Sequence, residues 1–304
     1  MKINEQVHQL KITFQLTPQI KRYVYVYIIT GRHCYLIDTG VHGSETLIQS
    51  YLESIGKSLA DVKGIFLTHS HPDHIGAAQA IKEASGAPVY ACRGEREWME
   101  DIHTQYKERP IPGFYDLLKR SIKIDHYIKE NDLIPLESGL TLEVMETSGH
   151  SKESLSFYLR EAQTLFTGDA IPVRGDIPIF VSHSKSLETL LKLMNLKQVS
   201  QFCPAWDHAY DREQGLQAMK DGYEYLEAIR QAAASVMKES PDAPEKDRFL
   251  MVCSRLSLDS LALNPLFFQS VHAAFEEAVI SQPPQLPLPP SASCTDKGSP
   301  HTLL

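Results

Sequence analysis

The feature that most constrains the fold is a histidine-rich turn at residues 68–76, Thr-His-Ser-His-Pro-Asp-His-Ile-Gly. It follows a short apolar segment, residues 64–67, which is typical of a buried strand. After the turn, Ile75, Ala78 and Ile81 recur at helical spacing. The pattern therefore predicts an exposed turn that connects a buried strand to a helix, and function often lies on loops held by such rigid elements.

The turn offers three imidazoles and one carboxylate within six positions: His69, His71, Asp73 and His74. His69 and His71 are two apart on extended chain, so their side chains point the same way. Asp73 and His74 fall near the helix start, where the direction of the chain changes and they can face a second centre. Imidazole and carboxylate are ligands that zinc, iron and manganese accept. A polar turn that is merely rich in histidine is the alternative, but this density of ligands favours a metal site.

Composition narrows the class of protein. The chain has 304 residues, 42% of them hydrophobic, which is enough for one large or two ordinary globular domains. Its net charge of -8 gives no support to binding of nucleic acid or an anionic membrane. No apolar segment is long enough to cross a bilayer, and the N-terminus lacks the apolar run of a signal peptide. Five scattered cysteines without CxxC spacing suggest neither a disulfide framework nor a structural zinc knuckle. We therefore expect a cytoplasmic protein.

The first part of the chain predicts strands followed by a helix. Alternating β-branched and aromatic residues indicate strands at 10–16, 23–30 and 34–37, and a helical apolar face spans 43–55. Asp38 ends the third strand. We interpret it as a carboxylate that braces the metal loop from behind, with a plain turn residue as the alternative.

Residues 94–126 depart from the alternation of strand and helix patterns. They contain aromatic residues, basic residues and two prolines. Long insertions of this kind often shape a substrate pocket. A surface excursion with a small helix near 115–120 is an equally acceptable interpretation. The sequence leaves these two alternatives open.

A second strand-rich series follows and carries three more candidate ligands. His150 and Asp169 each stand beside a glycine just after a strand pattern, where the backbone can approach a bound ion. His208 follows another short apolar strand, residues 201–204. Recurrence of ligand-type residues at strand ends matters more than any single histidine, because open α/β sheets carry their chemistry there.

The region after Asp211 changes to helices. Asp211 and Gln214 have the spacing of a capping box before a long amphipathic helix, and Pro265 opens a last apolar helix. We expect these helices to cover a sheet or to form a homodimer interface. Phe267 or Phe268 could cover the pocket, although core packing is favoured for both. Residues 281–304 are rich in Pro and Ser, which predicts a disordered tail.

With these motifs assembled, the chain resembles the metallo-β-lactamase-fold hydrolases, and within them the glyoxalase II and lactonase type. The resemblance covers about residues 10–210 and rests on five motifs in the family's order: Leu36-Ile37-Asp38-Thr39-Gly40, Thr68-His69-Ser70-His71-Pro72-Asp73-His74, Gly149-His150-Ser151, Gly168-Asp169-Ala170 and the terminal His208. It implies a four-layer αββα sandwich for residues 1–210. A C-terminal helical extension over 211–280 and the tail would follow.

The resemblance also implies a binuclear metal site. His69, His71 and His150 would bind one ion, Asp73, His74 and His208 the other, and Asp169 would bridge them. Two divalent ions, zinc with manganese or iron as alternatives, would sit roughly 3.5–4 Å apart and activate a shared water. The bridging hydroxide would attack an ester, thioester, lactone or amide of a small molecule, with Asp73 aiding proton transfer.

Other activities share this fold. A sulfur dioxygenase would use a single iron held by His69, His150 and Asp169. Phosphodiesterases and β-lactamases use similar metal cores, and a binding protein without turnover is a further class. His183, Lys185 and Tyr210 are candidates for the mouth of the site, but no substrate-binding residue can be assigned from the sequence.

Overall fold

The computed structural model describes residues 1–278, so the tail predicted for 281–304 lies outside the described residues. The protein contains two six-stranded mixed sheets. The first sheet has the order β1-β2-β3-β4-β5-β6, with strands β1 (Val7–Thr17), β2 (Ile20–Thr30), β3 (Cys34–Ile37), β4 (Val62–Phe66), β5 (Val89–Ala91) and β6 (His126–Tyr127). The second has the order β12-β11-β10-β9-β8-β7, with β7 (Leu133–Glu137), β8 (Leu140–Glu146), β9 (Leu155–Leu159), β10 (Thr164–Gly168), β11 (Gln201–Pro204) and β12 (Tyr210–Asp211).

Parallel pairs occur in both sheets beside the strands that lead to the site. In the first sheet β3 pairs parallel with β4, and in the second β10 pairs parallel with β11. The carboxyl ends of parallel neighbours meet at the same edge of a sheet. Residues that follow β3 and β4 are therefore neighbours in space, and so are residues that follow β10 and β11.

Alternation along the strands divides the apolar side chains between two sides of each sheet. In β3, Tyr35 and Ile37 face the second sheet, where they join Phe157 and Phe166, whereas Leu36 faces away and packs with Ile48 of a helix. Such alternation lets each sheet bury both faces at once. The two sheets therefore form the middle layers of a four-layer αββα sandwich, which confirms the predicted fold class.

Ten α-helices are described in residues 1–278, and the long ones form the outer layers. They are α1 (Ser44–Ser54), α2 (Pro72–Ile75), α3 (Ala78–Ser85), α4 (Arg96–Glu100), α5 (Ile102–Glu108), α6 (Phe114–Leu117), α7 (His183–Met194), α8 (Arg212–Glu239), α9 (Glu245–Arg255) and α10 (Pro265–Ala278). No helix in this part of the chain has both the length and the hydrophobicity needed to span a membrane.

The C-terminal helices pack on the second sheet. Asp211 and Gln214 form the expected capping box at the start of α8, and α10 begins at Pro265 as predicted. Phe267 is fully buried and packs edge-on against Phe249, and Phe268 packs on the same ring. These two phenylalanines therefore belong to the core and do not cover the pocket.

The helix predicted to follow the histidine turn is broken in two. α2 ends at Ile75 and α3 begins at Ala78, because the backbone N–H of Gly76 donates to the carbonyl of Gly40 instead of continuing the helix. A Cβ on Gly76 would lie 2.4 Å from the backbone nitrogen of His42. The close approach of the two chain segments therefore requires glycine and interrupts the helix.

Candidate metal centre

Five loops that follow strands bring the candidate residues together. The loop after β4 carries His69, and the loop after β8 carries His150. Asp38 follows β3, Asp169 follows β10, and Trp206 follows β11. The two sheets thus contribute to one site from the ends of their strands, as the sequence pattern predicted.

Four ligand-type side chains converge most closely: His69, His71, His150 and Asp169, whose ligand atoms all lie within 4.8 Å of one another. His71 Nδ1 lies 2.9 Å from His69 Nε2 and 3.0 Å from His150 Nε2. Asp169 Oδ2 lies 3.2 Å from His150 Nε2. The three histidines are buried.

Hydrogen bonds on the outer side of two rings fix the tautomers that a cation needs. His69 Nδ1 lies 3.0 Å from Thr68 Oγ1, and His150 Nδ1 lies 3.0 Å from the carbonyl oxygen of Ile179. With the proton on each Nδ1, which donates to these oxygens, each Nε2 presents a lone pair to the centre. Histidine nitrogens so arranged are suited to hold a divalent ion.

Unpartnered buried atoms provide a separate test of the fit. His71 Nε2, His74 Nε2 and Asp169 Oδ1 are buried and have no hydrogen-bond partner within residues 1–278. His74 Nε2 lies 3.3 Å from Asp169 Oδ1 and 3.8 Å from Asp73 Oδ2. Buried polar atoms without partners are costly, and a cation beside the two carboxylates would satisfy the second and third of them. Asp73, His74 and Asp169 therefore carry donor atoms of the kind that a further ion would need.

Electrostatics favours the four closest ligand side chains, His69, His71, His150 and Asp169, in the forms that bind cations. Burial, together with the charges of neighbouring histidines and Arg109, holds the pKa of His69 well below its ordinary value. Burial also lowers the pKa of His71 and of His150. Burial opposes ionisation of Asp169, but the charges of His74 and His150 outweigh it, so the pKa of Asp169 is lowered. Neutral imidazoles and an ionised carboxylate result.

Asp38 orders the metal loop from behind. Its Oδ1 accepts a hydrogen bond from the backbone N–H of Thr68, and its Oδ2 accepts from Thr68 Oγ1 and from His74 Nδ1, each at 2.8 Å. The residue has a positive φ of 59°, a conformation that aspartate tolerates better than most side chains. Asp38 thus turns the Nε2 of His74 toward the two carboxylates.

Glu95 also positions the site, although no sequence pattern marks it as a site residue. This buried carboxylate accepts hydrogen bonds from the backbone N–H of Ser70 at 2.7 Å, from the hydroxyl of Ser151 and from the backbone N–H of Glu153 at 3.0 Å. It therefore ties the loop of His69 and His71 to the loop of His150. No motif surrounds Glu95, so its role could be recognised only from contacts.

The structure does not bring His208 to the group. Its side chain is 58% exposed, and its Nδ1 lies 2.8 Å from Asp207 Oδ1, which keeps the ring at the surface. Trp206 lies beside the centre instead, and its indole Nε1 donates to Asp169 Oδ2 at 2.7 Å. An indole N–H is a donor only, so Trp206 cannot replace a histidine as a metal ligand.

The insertion at 94–126 forms one wall of a cavity of about 360 Å³ that opens on the site. Arg109 and Ile111 from this insertion line the cavity together with His71, Asp73 and Asp169. Apolar side chains from the β1–β2 hairpin and from residues 263–266 complete the wall. Of the two interpretations left open by the sequence, the structure supports the pocket.

Three side chains suggested for the mouth of the site lie elsewhere. His183 is buried at the start of α7, and its Nε2 lies 2.8 Å from the carbonyl oxygen of Leu226, to which it can donate. Lys185 lines a separate surface depression with Glu130 and Glu146. Tyr210 donates to Asp207 Oδ2 at 2.5 Å. None of the three is among the residues that line the cavity at the metal centre.

The fold is an αββα sandwich, and its site is a buried candidate metal centre at the ends of the strands. A model of the metallo-beta-lactamase superfamily matches residues 20–200. The chain belongs to this superfamily, which confirms the resemblance seen in the sequence.

Comparisons with individual proteins agree. The chain is 30% identical over 145 residues to "Probable metallo-hydrolase YqgX" of Bacillus subtilis (strain 168), covering 48% of this chain and 64% of the relative. It is 27% identical over 159 residues to a hydroxyacylglutathione hydrolase of Hyphomonas neptunium (strain ATCC 15444), covering 52% and 53%. The matched part thus spans between half and two thirds of these relatives. A crystal structure of a metallo-beta-lactamase family protein from Thermus thermophilus superposes with a TM-score of 0.70 at 18% identity, covering 91% of this chain and 94% of that chain.

Proposed function

We propose that this protein hydrolyses an ester, thioester, lactone or related bond of a small molecule. The observation that carries the proposal is the convergence of His69, His71, His150 and Asp169 beside a cavity of about 360 Å³. The three imidazoles supply three protein ligands, which leaves the fourth position of a tetrahedral ion for a water. The cavity is large enough for a small organic substrate.

The ligand residues would hold two divalent ions, zinc with manganese or iron as alternatives. The first position comprises His69, His71, His150 and Asp169, and the second Asp73, His74 and Asp169. Ions bound there would supply an activated water and polarise the oxygen of the scissile group. The two-ion arrangement stays a prediction, as does the role of His208 as a ligand.

Asp73 is proposed to move a proton. Its side chain is 15% exposed and lines the cavity, so it can reach a bound molecule. Burial raises the pKa of Asp73, with the charge of Asp169 acting in the same direction. A carboxyl with a raised pKa can take a proton from the attacking water and return it to the leaving group.

Thioesters are our preferred substrate class. The relative from Hyphomonas neptunium is a hydroxyacylglutathione hydrolase, and an acyl group attached to glutathione through sulfur is a thioester. Lactones, phosphodiesters and β-lactams are the competing classes. We also propose a cytoplasmic location and a homodimer formed through α8–α10, on the composition of the chain and on the apolar residues Leu250 and Met251, each 39% exposed on α9.

The test is to assay purified, metal-quantified protein against thioesters, lactones, β-lactams and phosphodiesters. Replacing His71 and Asp73 together by alanine should abolish hydrolysis, whereas His103→Ala, which alters an exposed histidine of the insertion, should not. Full activity in the double variant contradicts the proposal. One tightly bound iron with oxygen consumption, in place of hydrolysis, would support the sulfur dioxygenase alternative.

A further inference from the structure

Arg109 is a buried cation for which the fold provides no partner. The residue is 7% exposed, and its guanidinium makes no hydrogen bond or ion pair within residues 1–278. It lines the cavity beside His71, Asp73 and Asp169. A guanidinium carries five donors and is rarely buried without a planar acceptor.

Arg22, the other arginine that lines the cavity, has hydrogen-bond acceptors for its guanidinium within the protein. Its Nη2 lies 2.8 Å from both carboxylate oxygens of Asp176, and its guanidinium stacks 4.4 Å from the centroid of the Trp206 ring. The charge of Arg22 is therefore already balanced by the protein. Of the two arginines, Arg109 is the one that presents a free charge to the cavity.

The nearest carboxylates do not remove the need for a partner. Burial lowers the pKa of Arg109 to about 10, while the charges of Asp73, Asp169 and Glu95 act to raise it. Both oxygens of Glu95 already accept hydrogen bonds from the two metal loops. Asp73 and Asp169 belong to the metal positions, and cations bound there would cancel their charge. In the loaded protein Arg109 therefore faces a site that has become more positive.

We propose that Arg109 binds an anionic group of the substrate, a carboxylate or a phosphate, while an apolar part of the same molecule fills the rest of the cavity. This inference rests on the proposed hydrolytic function and specifies its substrate class. The apolar part would contact Leu16, Ile111, Leu117, Ile179 and Leu266, which line the same cavity. Arginine matches both oxyanions because its planar fork donates two parallel hydrogen bonds.

Matched thioesters test the proposal. Thiol release would be measured for succinyl, glutaryl and adipoyl monothioesters, for their ω-phosphonate analogues, and for neutral butanoyl, pentanoyl and hexanoyl thioesters. We expect at least one anionic member to exceed its neutral counterpart about 10-fold or more in kcat/KM, as suits a buried charged hydrogen bond. The series that shows this preference, carboxylate or phosphonate, identifies the anion.

Variants assign the preference to Arg109. Arg109→Gln should reduce the advantage of anionic over neutral thioesters to within about twofold, through KM, whereas Arg109→Lys should keep part of it because the charge remains. Arg96→Gln is the matched control, since Arg96 lies on the same insertion, is 56% exposed and pairs with Glu100. Equal losses on neutral and anionic substrates in Arg109→Gln, or a lower metal content, would overturn the proposal.

Binding without turnover separates this proposal from the proposed function. Calorimetry with adipate, the corresponding phosphonate and hexanamide should show binding of an anion that weakens at least about 10-fold in metal-loaded Arg109→Gln but not in Arg96→Gln. Arg109-dependent anion binding without any hydrolysis would mean that the hydrolytic function is wrong and the anion site is right. Hydrolysis without a preference for anions would mean that the hydrolytic function is right and the anion site is wrong.

Discussion

The indole Nε1 of Trp206 donates a hydrogen bond to Oδ2 of Asp169 at 2.7 Å. The same oxygen faces His150, whereas Oδ1 faces His74. Trp206 therefore holds the carboxylate that the two proposed metal positions would share.

The two metal positions should differ in affinity. The first proposed position has three histidines and Asp169, whereas the second has Asp73, His74 and a shared Asp169. Because fewer nitrogen ligands serve the second position, one equivalent of zinc should survive dialysis and a second should bind only in excess zinc. Metal analysis after dialysis, followed by zinc titration, measures both steps.

His208→Ala is the informative control for metal binding. Its exposed ring should make the variant indistinguishable from the unaltered protein in both steps. Loss of the second ion in this variant would show that His208 does move into the centre. Two ions held with equal affinity would contradict the predicted asymmetry.

Asp38→Asn should weaken metal binding about 10- to 100-fold, as loss of a residue that orients a ligand does. An amide can accept at only one of its two positions, so either the backbone N–H of Thr68 or the Nδ1–H of His74 would face an NH₂ group. Asparagine tolerates the positive φ of this position, so backbone strain would not explain the loss. Asp61→Asn, at a surface turn, serves as the control. Unchanged zinc affinity in Asp38→Asn would refute the orienting role.

Glu95→Ala should lower the free energy of unfolding by at least about 1–3 kcal/mol, since the donors of Ser70, Ser151 and Glu153 would lose their acceptor. Zinc affinity should fall as well, because the two histidine loops would no longer be tied together. Urea unfolding and zinc titration are the measurements. Glu97→Ala, on the exposed side of the same segment, should change neither. A stable variant with full zinc affinity would show that the bridge is dispensable.

The metal-free protein should lose stability as the pH falls below 6.5. Burial lowers the folded-state pKa of His8, His69, His71, His150 and His183 from the ordinary value of 6.5. In that range the unfolded chain binds protons that the folded chain does not bind. The free energy of unfolding therefore falls by up to about 1.4 kcal/mol per pH unit for each histidine.

His74 acts in the opposite direction but outside this window. Burial works against its charge, yet Asp169 and Asp38 raise its pKa well above 6.5, so its contribution is complete below 6.5 and is lost as the pH rises. Urea unfolding of metal-free protein at pH 7.5 and 5.5 should therefore show lower stability at pH 5.5. His69→Asn should show a smaller difference, and a rise in stability on acidification would contradict this prediction.

Strand ends and glycines made much of the site predictable. His69, His150 and Asp169 lie just after strands, as predicted, because each follows an apolar run and two of them adjoin a glycine. Gly168 has a positive φ of 51°, and a Cβ there would approach Thr68 Oγ1 to 2.8 Å. Constraints of this kind act between adjacent residues, so they can be recognised from the sequence.

By itself, the sequence determined the strand and helix patterns, the capping box of α8 and the residue types of the centre, since periodicity and local chemistry are properties of adjacent residues. The four-layer arrangement was implied by the resemblance to a known family. The tertiary structure decided which distant side chains meet. It placed Trp206 beside Asp169, tied two loops together through Glu95, and left Arg109 unpaired in the cavity. These relationships depend on how separate strands and loops pack in space, so a local pattern of residues does not predict them.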